Sequence, residues 1–161
     1  MKSVTMNEEM EKKSVTEDPE RDVLEIGQMR YNYKREGSPL HVKSYAFAVR
    51  IVRMFLHLTG DDAKLMVIYR QVLKSGTSIS ANVHESEFAQ SSSDFVSKLS
   101  IALKEANETV NWLNLLKDTG YLTETEFDSM ARDCSELIAM LVASINTVKR
   151  KIIKQQTRTT E

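Results

Sequence analysis

A chain of 161 residues suits one ordinary domain, and its 41% hydrophobic content is enough for a packed core. A formal net charge of −1 excludes any bulk positive charge, so contact with nucleic-acid phosphates would need basic residues sorted onto one surface. The single cysteine, Cys134, excludes an internal disulfide, and only two prolines and five glycines leave room for long helices.

Residues 1–37 are polar and hold seven Lys/Arg and nine Asp/Glu, which predicts a mobile N-terminal tail. Val23, Leu24 and Ile26 allow a short helix over Asp18–Met29 within it. The tail has no apolar stretch of the kind that opens a secretory signal. Apolar runs further on are broken by Arg50, Arg53, Arg70 or Lys74, so no membrane span is expected and the expected location is cytoplasmic.

The first helix is predicted over about 38–58, after the Gly37-Ser38-Pro39 break. Phe47, Ile51, Met54 and Leu58 recur at helical spacing and make one face. Thr59-Gly60-Asp61 is expected to stop this helix and cap the next. The second helix is expected from about Asp61 to Ala89. Its stripe begins with Leu65, Ile68 and Val72 and turns polar at Ser75, Asn82 and Ser86. Gly76 sits inside this helix, where glycine costs about 1 kcal/mol relative to alanine. Close approach of a neighbouring helix is the expected compensation. Asn82 on the inner face would need partners, and a polar network with Thr109 and Ser144 would set the helix register.

The third helix follows Ser91-Ser92-Ser93, which supplies capping hydroxyls. Its stripe of Phe95, Leu99, Ala102, Ala106, Thr109, Leu113 and Leu116 alternates steps of four and three, and Gly120 closes it. The fourth helix opens on a capping box, Thr123-Glu124-Thr125-Glu126. One apolar stripe runs from Phe127 through Met130, Cys134, Leu137 and Leu141 to Val148. A second, of Ala131, Ile138, Ile145 and Ile152, predicts a second partner, inside the bundle or on another subunit. Short connections force antiparallel neighbours. The expected architecture is all-α: an up-down-up-down four-helix bundle over 38–155, with a C-terminal tail over 156–161.

Chemical constellations are missing from the linear sequence. His41, His57 and His84 include no i, i+4 pair, and His84-Glu85-Ser86-Glu87 lacks the second histidine of a zincin helix. Cys134 lies on a core stripe and reads as a small buried hydrophobe. Ser75-Gly76-Thr77-Ser78 lacks the lysine and glycine spacing of a phosphate loop. No catalytic residue, cofactor or metal is therefore expected. Basic residues do concentrate on the first two helices, where Asp61 and Asp62 are the only acids between Lys43 and Lys74. Arg50, Arg53, Arg70 and Lys74 are the candidate nucleic-acid contacts. Lys149, Arg150, Lys151, Lys154 and Arg158 form a second basic cluster, placed where cations complement a helix dipole.

The stretch Ser75-Gly76-Thr77-Ser78-Ile79-Ser80-Ala81-Asn82-Val83-His84-Glu85 resembles the second-helix signature of the bacterial 23S rRNA intervening-sequence proteins. Asp94-Phe95, Lys98 to Ala106, Glu108-Thr109 and Trp112-Leu113 resemble that family's third helix, and Ser44 to Val52 its first. Ser80 stands where the family usually has glycine, and His84 where a glutamate is common. The resemblance covers roughly 40–152 and implies a four-helix bundle that assembles as a homopentamer. It also implies kinship with the accessory variability proteins of diversity-generating retroelements, which associate with a reverse transcriptase and with nucleic acid. The functional expectation is a non-enzymatic homo-oligomeric scaffold that contacts RNA or DNA phosphates through the first two helices. The alternative is a protein-interaction module that binds no nucleic acid.

Overall fold

The computed structural model describes residues 38–61 and 65–159. The tail expected over 1–37, with its short helix at Asp18–Met29, lies outside the described residues. The described residues form four helices in order: α1, Pro39–Asp61; α2, Met66–Ser86; α3, Ser92–Asp118; and α4, Glu124–Thr159.

Their antiparallel arrangement is fixed by cross-helix pairs. Ile51 of α1 meets Gly76 of α2. Ser75 of α2 meets Thr109 of α3, and Lys98 of α3 meets Glu85 of α2. The Cys134 thiol of α4 donates to the Ala106 carbonyl of α3 at 3.4 Å. Lys43 and Arg50 of α1 pair with Glu136 and Asp133 of α4 and close the ring. This last seam is the thinnest of the four.

The core takes most of the residues that the stripes select, but on α2 the buried face is turned by one position in places. Tyr69 and Val83 are buried, whereas Leu65, Ile68 and Asn82 of the expected stripe are half-buried. Phe47, Ile51, Tyr69, Ile79, Leu99, Leu113, Leu116, Leu137 and Leu141 are all buried. Each such side chain contributes roughly 1.5–3 kcal/mol by leaving water. The second stripe of α4 turns partly inward: Ile145 is buried, while Ala131, Ile138 and Ile152 are half-buried.

Helix ends show where local chemistry wins. Pro39 occupies the first position of α1, where its missing N–H costs nothing, and Ser38 accepts from the His41 N–H. The α1 terminus differs from expectation. Thr59 does not stop the helix; its hydroxyl donates to the Phe55 carbonyl at 2.9 Å, and α1 continues to Asp61. The N-cap position of α2 is Leu65, not the expected Asp61; the helix begins at Met66, and Leu65 makes no side-chain cap bond. At its other end α2 stops at Ser86 rather than Ala89, as the Glu87 and Phe88 N–H groups turn back to His84 and Glu85 carbonyls.

The caps of α3 and α4 follow the sequence closely. Ser91 accepts from the Asp94 N–H, and the Asp94 carboxylate accepts from the Gln90 N–H, both at 3.1 Å. At the far end Gly120 adopts φ +79°, with bonds from the Tyr121 N–H to Leu116 and from the Gly120 N–H to Lys117. The Thr123 capping box forms in both directions: the Glu126 carboxylate accepts from the Thr123 N–H, and the Thr123 hydroxyl accepts from the Glu126 N–H. Helix α4 runs four residues past the expected end at 155, since no glycine or proline interrupts its last turns. At 36 residues it is about 54 Å long, against about 35 Å for the 23 residues of α1. Its last turns carry the exposed cations Lys149, Arg150, Lys151 and Lys154.

Candidate nucleic-acid interface

The polar half of the α2 stripe is satisfied mainly within its own helix. Ser75 donates to the Gln71 carbonyl at 3.0 Å, Ser86 to Val83 at 2.7 Å, and the Asn82 amide to Ser78 at 2.9 Å. Asn82 is half-buried and makes no bond to Thr109 or Ser144. The buried cross-helix polar contact is instead Thr109 Oγ1 to Ser75 Oγ, at 2.9 Å. Gly76 meets its neighbour closely: a Cβ built there would lie 2.7–2.9 Å from three carbons of Ile51. Trp112 is half-buried, and its indole N–H donates to the Glu108 carboxylate at 3.1 Å.

The four candidate cations fall in different settings. Arg50 leans toward α4, where it pairs with Asp133 and donates to the Ser129 hydroxyl and carbonyl. Lys43, on the same side, pairs with Glu136. Arg53 is exposed, as are Arg70 and Lys74 on α2. Among the described residues none of these three forms an ion pair.

Because α1 and α4 touch least, a groove of about 500 Å³ opens between them. Arg50, Arg53 and His57 line it from α1, and Thr125, Glu126 and Ser129 from the start of α4. Its floor is apolar, from Met54, Leu122 and Met130. Arg50 and Arg53 therefore share one groove, while Arg70 and Lys74 stand outside it on α2. No linear motif marks His57, Thr125 or Ser129 as members of this site. Only the pairing of the end of α1 with the start of α4 brings them together. Glu126 is occupied by its cap, whose hydrogen bonds from Thr123 hold the carboxyl below the usual carboxylate range.

Cys134 offers no reactive thiol. Burial and the Asp133 charge push its pKa up to about 12. On the outer surface Lys98 is held above the usual lysine range by its hydrogen bond and charge contact with Glu85. No described helix is long and apolar enough to cross a membrane.

These features define an antiparallel four-helix bundle with exposed basic side chains on its first two helices. The sequence profile of the 23S rRNA-intervening sequence proteins matches residues 40–143, and the chain belongs to that family. It is also similar to a crystal structure of a protein of unknown function from the S23 ribosomal protein family of Bacteroides thetaiotaomicron. The two share 46% sequence identity with a TM-score of 0.64, over 66% of this chain and 97% of the other. No curated protein matches it.

Proposed function

We propose that this protein is a non-enzymatic, self-associating helical scaffold that holds RNA or DNA by its phosphates. The observation that carries this reading is the contrast among its cations. Lys43 and Arg50 are neutralised by acids of α4, whereas Arg53, Arg70 and Lys74 face solvent without an ion pair among the described residues. Cations of that kind bind phosphate and release counterions with little regard to sequence. In the α1–α4 groove, His57 and the hydroxyls of Thr125 and Ser129 stand with Arg53 as further donors.

Self-association rests on the outer face of α1. Val42, Val52 and Leu56 are exposed by 50%, 41% and 64%, and Val49 is half-buried between them. Their steps of seven, three and four place them on one stripe that turns away from the core. A second copy of the chain is the fitting occupant. Several copies would repeat a modest set of cations, so that a near-neutral chain gains avidity for a polyanion.

A gel-shift comparison tests the reading. A variant carrying Arg53→Glu, Arg70→Glu and Lys74→Glu should lose the retardation of short RNA and DNA that the native chain gives, while keeping its helical circular dichroism. Equal retardation by both proteins would overturn the assignment of these residues. Light scattering checks assembly, and Leu56→Lys should lower the measured mass to that of fewer chains.

A further inference from the structure

The first turn of α1 and the end of α2 bring together three groups that lie far apart in the sequence. We infer that His41, His84 and Glu87 form a binding site for one divalent transition-metal ion, with Zn2+ the best-fitting ion. One nitrogen or oxygen atom from each residue lies within 4.8 Å of the other two. His41 points its Nδ1 into this cluster from a side chain only 8% exposed, and among the described residues that nitrogen has no hydrogen-bond partner. Glu87 Oε2 lies 3.6 Å away, too far for a hydrogen bond. A buried ring nitrogen is stabilised by a partner for its lone pair, and a metal ion held with Glu87 and His84 would supply one.

The His41–Glu87 distance fits metal geometry. With metal–ligand bonds of 2.0–2.1 Å, the edges of a tetrahedral zinc site are about 3.3 Å. The His41–Glu87 separation of 3.6 Å is close to one such edge, and the separations to His84, at most 4.8 Å, would have to close to the same length on binding. His84 and Glu87 are three residues apart at a helix end and share a face, and the Glu87 N–H is bonded to the His84 carbonyl at 3.1 Å. The His84 ring already stands edge-on to that of His41, with centroids 5.5 Å apart. The His41 backbone is held by the Ser44 hydroxyl, which donates to its carbonyl at 3.0 Å. Two imidazoles and a carboxylate suit Zn2+, Co2+ or Ni2+, whereas Mg2+ and Ca2+ prefer all-oxygen ligands. Three protein ligands leave a fourth position for water. The ion would tie α1 to α2 at the end of the bundle opposite His57 and the groove.

Calorimetric titration of the full-length protein, first stripped with a chelator, tests the site with Zn2+ itself. The expected result is one ion per chain. Co2+ should give the intense visible absorption of a tetrahedral centre. At hundredfold excess over Kd, Zn2+ should raise Tm by roughly 5–10 °C. His84→Ala and Glu87→Gln, both on side chains at the helix end, should each weaken binding at least about tenfold. His57→Ala should leave it unchanged. Because His41 is buried and its loss could unfold the chain, the other two variants carry the decision. Absence of a stoichiometric Zn2+ site, or a site that keeps its affinity in both variants, would overturn the inference.

Discussion

At position 76, a methyl group would meet Ile51, which is fully buried and branched at Cβ, so the carbons in the way cannot swing aside. Alanine would gain about 1 kcal/mol in helix propensity. Overpacking of a tight core costs about 1–3 kcal/mol and outweighs it. Gly76→Ala should therefore lower the urea midpoint in the native background. After Ile51→Ala, which removes the obstructing carbons, the same change should become neutral or stabilising, and a double-mutant cycle measures this coupling. At position 134 the raised thiol pKa and full burial predict no reaction with a thiol reagent at pH 8 until the chain is unfolded. Both residues were legible in the sequence: a glycine inside a helix needs a neighbour, and a cysteine on a leucine stripe belongs to the core. The register contact was less legible. Ser75 and Asn82 are both small polar residues near the α2 stripe, and both bond back to carbonyls of their own helix. The rotation of α2 about its axis, which the sequence does not specify to one position, decides that Ser75 rather than Asn82 also meets Thr109 of α3.

Helices α3 and α4 owe their ends to side chains that can be read directly. The Thr123–Glu126 capping box satisfies N–H groups that a bare helix end would leave to water. Thr123→Ala should cost about 1 kcal/mol, measured by urea unfolding. The Glu126 carboxyl is held below its ordinary value by Thr123, so its native state favours the charged form. Its contribution to stability is thus complete above the ordinary carboxylate range. It is lost as pH falls through that range to the lowered value. Glu126→Gln should flatten this part of the pH–stability profile. The α1–α2 boundary was harder to place, because Thr59, Gly60 and Asp61 are equally at home in a turn or a last helical turn. In the structure they form the last helical turn, with the Thr59 hydroxyl folded back onto the Phe55 carbonyl.

Across the whole molecule, the bundle follows from four apolar stripes joined by short connections, and the family match over 40–143 agrees with it. The candidate interface was legible only in part. Charge counts along α1 and α2 locate the cations. They do not reveal that α4 supplies Asp133 and Glu136 to neutralise Arg50 and Lys43. The His41–His84–Glu87 cluster was out of reach for the same reason, since a search along one helix misses ligands that antiparallel packing brings from two. The central claim is phosphate contact by the exposed cations of α1 and α2, and a salt titration tests it most directly. Binding of fluorescent single- and double-stranded RNA and DNA should tighten steadily as salt is lowered. On double-stranded DNA, replacing Arg53, Arg70 or Lys74 singly should each reduce the log–log slope by about 0.9 for every phosphate that the side chain neutralises. Failure of the native protein to bind any of these nucleic acids at low salt would contradict the account.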